Sequence, residues 1–249
     1  MKALIIACDV LYREVSLALA NSKHVVDVRF LNSELHNTPS ELRKTLQEEI
    51  YAADGKGYEY VILGYGLCSR GTAELTAGSV PLVIPRAHDC ITFFLGSRAK
   101  YDKEFLNHPG TYYYSSGWIE RKNGEVQQGY IEESSALNEK ARFEEYVEKY
   151  GEDNAKFLIE QESLWLANYT RTAYIHMGLG AIDQYRQFVQ DVADKHGWSV
   201  EEIEGDISLF QRLAAGNWNE DFLIVPPGAK TRESFDTDII CACCKTDVT

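Results

Sequence analysis

Residues 60–71 of this 249-residue chain are YVILGYGLCSRG, an apolar run that ends in a glycine-rich turn carrying a cysteine. Residues 82–90, LVIPRAHDC, repeat the arrangement with a histidine and a second cysteine. Short apolar runs of this kind are typical of buried parallel strands. The carboxyl ends of parallel strands lie along one edge of an open sheet, where such folds bind ligands. The pattern therefore predicts that Cys68, His88 and Cys90 share that edge.

The chain on both sides of these runs alternates strand patterns with helical ones. Predicted strands are residues 4–6, 25–31, 60–63, 82–84, 111–115, 173–176 and 222–225. Predicted helices are residues 11–21, 39–53, 72–77, 91–105, 141–150, 154–166, 182–196 and 207–215. The alternation predicts an α/β fold of two Rossmann-like lobes, with mainly parallel sheets and a cleft between the lobes. The first turn lacks Gly-x-Gly-x-x-Gly, so no dinucleotide fingerprint is present.

The domain boundary is predicted near residues 107–110, which have the sequence NHPG. We expect an N-terminal lobe at residues 1–108 and a C-terminal lobe at residues 109–235. A cysteine-rich tail at residues 236–249 either crosses back or lies free. The polar, charge-rich residues 120–139 are expected to form a loop or hairpin.

Composition limits the classes of partner. The net charge is −13 and no long basic run is present, which disfavours nucleic acid. No apolar stretch approaches the ~20 residues of a membrane span. The first apolar run is too short for a signal peptide, so a cytoplasmic location is expected. In that compartment the six cysteines are expected to be thiols, ligands or core residues rather than disulfides.

Cys68, His88 and Cys90 are the candidate site. Cys68 lies beyond Gly64 and Gly66, which allow a tight turn and the close approach of a ligand. Three Cys or His ligands with an open fourth position are typical of catalytic zinc. Cys68 and His88 equally fit a metal-free nucleophile and its base. Simple packing on a tight turn remains the alternative for each of them.

Charged neighbours extend this candidate site. Arg70, Arg86 and Arg98 lie near the same edge and suit bidentate binding of a carboxylate or phosphate, with surface salt bridges as the alternative. Asp89 precedes a predicted helix, where Asp is a good N-cap. A capping role and a catalytic role for Asp89 both remain open.

The second lobe is expected to supply further ligand contacts. The strand at residues 111–115 would deliver Ser115 and Trp118 to the cleft, where aromatic walls suit a flat or apolar ligand. His176 ends another predicted strand and is a candidate ligand or acid–base group. Ordinary packing and a plain loop histidine are the competing interpretations.

The other cysteines give weaker indications. Cys8 ends the first predicted strand and packing is favoured for it over a site role. Cys241, Cys243 and Cys244 lack the spacing of an iron–sulfur motif. They could add ligands to the site or form a redox pair.

Residues 64–68 (GYGLC), 84–90 (IPRAHDC), 95–101 (LGSRAKY), 110–113 (GTYY) and 117–118 (GW) resemble a bacterial and archaeal family catalogued as a domain of unknown function. The resemblance covers roughly residues 2–228. It implies that Cys68, His88 and Cys90 belong to one shared site. It also implies an association with anaerobes and methanogens and with corrinoid-dependent methyl-transfer genes.

Three functional hypotheses follow. The leading one is a zinc-binding protein that acts on a small anionic or methylated ligand, with methyl transfer as a possible reaction. The second is a metal-free Cys68–His88 enzyme. The third is a non-enzymatic binding module or chaperone that holds a corrinoid or other tetrapyrrole or delivers a metal. A corrinoid protein is a possible partner, and an iron–sulfur cluster is an alternative cofactor.

Overall fold

A computed structural model describes residues 1–121, 138–166 and 168–243. Most of the predicted loop or hairpin at residues 120–139 lies outside the described residues, as does Cys244. The chain divides into two compact units. The first combines residues 1–103 with residues 204–249, and the second is residues 104–203.

The described part of the chain is a mixed α/β structure, as predicted. Its strands are β1 (Lys2–Cys8), β2 (Val25–Leu31), β3 (Tyr60–Gly64), β4 (Leu82–Pro85), β5 (Thr111–Ser115), β6 (Arg171–His176), β7 (Ser199–Glu204), β8 (Phe222–Val225), β9 (Lys230–Glu233) and β10 (Ile240–Cys243). Its α-helices are α1 (Tyr12–Ala20), α2 (Pro39–Ala52), α3 (Cys90–Leu95), α4 (Arg98–Asn107), α5 (Ser116–Arg121), α6 (Asn138–Tyr150), α7 (Glu152–Leu166), α8 (Ile182–His196) and α9 (Ser208–Ala215). Short 3-10 helices occupy Asp9–Leu11 and Ser33–Asn37.

The first unit is built on a five-stranded sheet with the order β2-β1-β3-β4-β8. Strands β1 to β4 pair in parallel, and β8 pairs antiparallel with β4. The central strands are nearly continuous apolar runs, and residues 3–7, 61–63 and 82–84 are almost completely buried. When both faces of a sheet are covered, successive side chains on either face are buried, so every position of the strand is apolar. The mainly parallel sheet is therefore confirmed.

The strand order creates a switch point between β1 and β3. The chain moves from β1 outward to β2, then returns to β3 on the other side of β1. Ligands in open α/β sheets bind at the carboxyl ends of the two strands where the order reverses. Here those ends are Cys8, which closes β1, and the turn that follows Gly64.

The C-terminal part of the chain returns to the first unit. Strand β8 extends the first sheet, and β9 and β10 form an antiparallel hairpin, hereafter the C-terminal hairpin. The sequence predicted that the strand at residues 222–225 belongs to a C-terminal lobe at residues 109–235. In the structure, residues 204–249 instead group with the first unit. A local sequence pattern can identify a strand but not the strand it pairs with. The partner of β8 is β4, which lies more than a hundred residues earlier in the chain.

Two predicted helices differ from the structure. Residues 72–77 do not form a helix. Residues 72–74 form a turn and Thr76 makes an isolated antiparallel bridge to Lys230, because Glu74 N–H donates to Thr231 O at 2.9 Å and Leu75 N–H donates to Thr231 Oγ1 at 2.8 Å. The predicted helix at 91–105 is broken into α3 and α4 at Gly96, whose φ of 81° is left-handed. A side chain at Gly96 would also meet Asp206, with its Cβ only 2.6 Å from the Asp206 Cβ.

The second unit contains a three-stranded sheet with the order β5-β6-β7. Strands β5 and β6 are parallel, and buried Tyr114, Tyr174 and Tyr185 form an aromatic cluster beside them. The guanidinium of Arg171 ties the unit together through Glu104 at 2.8 Å and Glu201 at 2.6 Å. The unit thus has its own polar anchor and its own core.

No helix among the described residues is long and apolar enough to cross a membrane.

Candidate functional site

Three thiols come together at the carboxyl edge of the first sheet. Cys8 is the last residue of β1, Cys68 lies in the turn after β3, and Cys90 is the first residue of α3. Cys8 is buried, whereas Cys68 and Cys90 are half-buried, and all three are free of disulfide bonds. We call Cys8, Cys68 and Cys90 the thiol cluster.

Backbone hydrogen bonds fix two of these thiols relative to each other. The N–H of Leu67 donates to Ala87 O at 2.7 Å, and the N–H of Cys68 donates to His88 O at 2.9 Å. These bonds continue the parallel pairing of β3 and β4 beyond the strands themselves. The turns carrying Cys68 and Cys90 are therefore held as neighbours.

Gly66 makes this approach possible. A Cβ at this position would lie 2.7 Å from Ala87 O and 2.9 Å from Asp89 N, both backbone atoms. Real Cβ atoms do not approach backbone so closely, so only glycine fits between the two turns. Gly64 has a different role, because a Cβ there would lie 2.6 Å from the Cβ of Ala7 in the adjacent strand. Packing between β1 and β3 thus explains Gly64 without a ligand.

The turn at Cys68 has an uncommon backbone. Cys68, Ser69 and Arg70 have φ angles of 45°, 53° and 71°, so three consecutive non-glycine residues are left-handed. Each such residue costs roughly 1–2 kcal/mol. Strain of this kind persists only where surrounding contacts hold it, and it clusters at functional sites. Here the Gly71 N–H donates to Cys68 O at 2.9 Å, and Arg70 pairs with Glu233 at 2.8 Å.

The electrostatic surroundings of the thiol cluster are acidic. Burial raises the pKa of Cys8 to about 12 and raises the pKa values of Cys68 and Cys90 strongly. The charges that act most strongly on the three sulfurs come from one another and from Asp9 and Asp89, and each raises a thiol pKa further. The thiols therefore keep their protons at neutral pH.

Tyr65 adds an unpaired polar group to the cluster. Its side chain is 3% exposed, and its hydroxyl has no hydrogen-bond partner among the described residues. Burial, followed by the charges of Cys8, Cys68 and Asp9, raises the pKa of this hydroxyl, so it lies within electrostatic range of the cluster. A buried hydroxyl without a partner costs about 1–3 kcal/mol. A ligand that accepts its hydrogen bond would recover that energy.

His88 lies next to the cluster on an exposed part of the turn. Its ring centre is 5.8 Å from that of Tyr101, whose hydroxyl donates to Asp89 Oδ2 at 3.2 Å. Asp89 also caps α3, accepting the N–H of Ile91 at 2.9 Å. The capping role is therefore present. Burial raises the pKa of Asp89, while Tyr101 and His88 oppose that rise.

The predicted arginines contact other parts of the protein. Arg86 donates to Ile240 O at 2.6 Å and to Asp238 O at 3.0 Å, and Arg98 reaches Asp221 at 3.4 Å. Arg70 pairs with Glu233 in β9. Arg70 and Arg86 thus fasten the C-terminal hairpin to the turns after β3 and β4, and a role for either in ligand binding stays a prediction.

The second-lobe candidates belong to the second unit. Ser115 is buried and accepts the N–H of Trp118 at 3.2 Å, and Trp118 packs on the aromatic cluster. His176 Nε2 lies 3.4 Å from Glu202 Oε1. These contacts suffice to explain the three residues structurally. Their part in a ligand site and the cleft itself remain predictions.

The sequence favoured packing for Cys8 and gave no role to Tyr65. Cys8 ends the first parallel strand, but its position next to Cys68 depends on the strand order, in which β1 is paired with β3. The burial of Tyr65 likewise depends on tertiary packing. Across residues 1–121, 138–166 and 168–243, no group of three or more His, Cys, Asp or Glu side chains is arranged to hold a metal ion as the structure stands.

Comparisons with known proteins identify the family alone. No curated protein and no solved structure matches this chain. One family model matches residues 30–214, which include Cys68, His88 and Cys90 but exclude Cys8 and the C-terminal hairpin. Because the match covers well over half of the chain, this protein belongs to the family described as "Protein of unknown function (DUF1638)".

Proposed function

We propose that the protein binds a zinc ion through the thiol cluster. The observation that carries the proposal is the placement of three thiols at the carboxyl edge of the first sheet, where Cys8 ends β1, Cys68 lies in the turn after β3 and Cys90 begins the helix after β4. Thiolates are preferred ligands of zinc, and three protein ligands leave a fourth position for water or substrate. We propose the three sulfurs as ligands in place of the sequence-based set of Cys68, His88 and Cys90, which nothing in the structure tests, and we propose His88 as a neighbouring group that acts on the bound ligand.

The acidic surroundings favour a cation in this place. Asp9, Asp89 and the sulfurs themselves act on the thiols, and all of them oppose a second negative charge. A zinc ion would reverse this balance, since a coordinated thiol loses its proton and its negative charge is neutralised by the metal. The same surroundings disfavour Cys68 as a metal-free nucleophile, because that role needs a stabilised thiolate.

Binding requires the sulfurs to move closer than they lie in the structure, where no three such side chains among the described residues can hold a metal. The strained turn at residues 68–70 offers a place for that movement. Three left-handed residues are already held there at a cost, so a new backbone arrangement releases strain as it forms. Cys8 and Cys90, by contrast, lie on a strand and at a capped helix start.

The zinc ion would activate a small molecule at its open position. Zinc lowers the pKa of a bound water or thiol and stabilises developing negative charge. We propose a small anionic or methylated ligand, with His88 as its proton acceptor and the Tyr65 hydroxyl as its hydrogen-bond donor. The reaction that we propose, in a cytoplasmic setting, is methyl transfer to a substrate thiol held at the zinc. His88 would accept the thiol proton, the sulfur would bond to the methyl carbon of a methylated donor, and the bond between that carbon and the donor would break with its electron pair leaving on the donor.

Metal content and cobalt substitution test the proposal. Purified chain is expected to hold about one zinc per molecule, and Co²⁺ in its place should give intense thiolate-to-cobalt charge-transfer absorption. Cys8→Ser, Cys68→Ser and Cys90→Ser should each weaken that absorption and reduce zinc content. Cys241→Ser and Cys243→Ser are matched controls, since they remove thiols outside the cluster.

Two results would overturn the zinc proposal. One is a folded protein, verified by circular dichroism, that takes up no zinc or cobalt. The other is a Cys68→Ser variant that binds both metals as the parent does. A coloured protein as isolated would instead indicate a corrinoid, a haem or an iron–sulfur cluster.

A further inference from the structure

The C-terminal hairpin carries a second pair of thiols. Cys241 and Cys243 are both half-buried residues of β10, separated by one alanine. Alternate residues of a strand point to the same face, so the two side chains are neighbours on one side of the hairpin. They are close enough for Cys243 to act on the pKa of Cys241. We call Cys241 and Cys243 the hairpin pair.

Two basic residues lie opposite the hairpin pair, and one of them, Lys230, is ion-paired with Glu74 at 2.5 Å. In the antiparallel register Cys241 faces Arg232 and Cys243 faces Lys230. Directly opposite residues in such a ladder lie on the same face, with Cβ atoms about 4.5–5.5 Å apart. Arg232 and Lys230 are exposed, whereas Thr231 between them is buried. The face that carries the thiols and cations is therefore the one open to solvent.

The charges here differ from those around the thiol cluster. Burial, Cys243 and Asp236 keep the pKa of Cys241 raised, and Arg232 opposes that rise only in part. The two thiols are half-buried, and Arg232 attracts an anionic reaction partner toward Cys241.

We propose that the hairpin pair is a redox-active dithiol that reacts with small anionic disulfides, such as oxidised glutathione. The thiolate of one cysteine attacks a sulfur of the disulfide, forms a mixed disulfide and releases one thiolate leaving group, which takes up a proton. The second cysteine then attacks the protein sulfur of the mixed disulfide. This step forms the Cys241–Cys243 bond and releases the second thiol. The protein loses two electrons and two protons, and the small disulfide gains both.

The geometry makes this bond reversible. Residues two apart on a strand have Cα atoms separated by roughly 6.6 Å. This lies at the upper end of the ~4.4–6.8 Å range that disulfides span, and the Cβ atoms, which point to the same face, are about as far apart, beyond the ~3.5–4.5 Å that a disulfide needs. The bond therefore forms only if β10 bends locally, so it is strained and easily reduced. The hairpin pair therefore suits exchange or regulation rather than permanent cross-linking. Arg86, which binds the carbonyl of Ile240 at 2.6 Å, links β10 to the turn before Cys90.

Mass spectrometry of the full chain with oxidised glutathione tests this inference. Residues 233–245 form one tryptic peptide that contains Cys241, Cys243 and Cys244 and no other cysteine. The parent and a Cys244→Ser control should each lose two hydrogens in this peptide. Cys241→Ser and Cys243→Ser should instead keep a glutathione adduct, because the second step has no attacking thiol.

A panel of disulfides tests the charge preference. Oxidation by anionic glutathione disulfide is expected to be about ten times faster than by cationic cystamine. A disulfide that still forms in Cys241→Ser or Cys243→Ser through Cys244, or equal rates with the two reagents, would overturn the proposal. Cys68→Ser should leave this reaction unchanged, so its outcome is independent of zinc binding by the thiol cluster.

Discussion

The thiol cluster and the hairpin pair use the same side chain in different electrostatic settings. Cys8, Cys68 and Cys90 lie among carboxylates and one another, and burial holds their protons in place. Cys241 and Cys243 lie on a solvent-facing strand opposite an arginine and a lysine. The difference indicates that a cysteine's role depends on the charges its neighbours supply. Acidic neighbours call for a metal cation, and basic neighbours call for an anionic reaction partner.

The strongest test of this contrast is thiol alkylation of metal-free protein at mildly alkaline pH. A pKa of about 12 for Cys8, against ~8.5 for an ordinary thiol, reduces its reactive thiolate on the order of a thousandfold. We expect iodoacetamide to label Cys8 about a thousand times more slowly in the folded chain than in denaturant. Time-resolved peptide mass spectrometry would measure each cysteine separately, and the hairpin pair should be labelled first. Equal labelling of Cys8 and Cys241 in the folded chain would remove the basis of the comparison.

A second test breaks one group and spares the other. Gly66→Ala places a Cβ 2.7 Å from Ala87 O, so the turns carrying Cys68 and Cys90 must separate. We expect a loss of about 3 kcal/mol in the free energy of unfolding, measured by urea denaturation, together with loss of zinc binding. At urea concentrations below the unfolding transition, oxidation of the hairpin pair by glutathione disulfide should be unchanged.

Gly55→Ala is the control for that substitution. Its Cβ would meet nothing within 4 Å, so the cost is the left-handed φ of 73° alone, about 1 kcal/mol. If Gly66→Ala were no more destabilising than Gly55→Ala, the close approach of the two turns would not constrain the site.

A third test alters the charge beside the hairpin pair. Arg232→Glu replaces an attractive charge by a repulsive one about 5 Å from Cys241, a change of roughly 1.5 kcal/mol in water. Oxidation by glutathione disulfide should slow about tenfold, and added salt should narrow the difference. Lys44→Glu on an exposed position of α2 makes the same change in net charge elsewhere. Equal slowing in both variants would attribute the effect to total charge.

The sequence predicted the parts of this molecule that depend on local pattern. The apolar runs at 60–63 and 82–84 identify parallel strands, and Cys68 and Cys90 follow them. The helix predicted at 72–77 failed because its backbone bonds to Thr231, far along the chain. Cys8 required the strand order, and the pairing of Cys241 with Arg232 required the hairpin register. These last features arise from tertiary pairing, which a single sequence does not encode in any local signal.

The smallest expected effect concerns the strained turn of the thiol cluster. Ser69 is exposed and left-handed, with a φ of 53°, between two residues in the same conformation. Ser69→Gly removes the Cβ that makes this conformation costly, although glycine also gains freedom in the unfolded chain. We expect the metal-free protein to gain about 1 kcal/mol in the free energy of unfolding, measured by urea denaturation. Ser69→Ala keeps a Cβ and should show no gain. If Ser69→Gly instead lowers the free energy of unfolding, the serine side chain stabilises the turn. Strain at residues 68–70 would then not account for the movement that zinc binding needs.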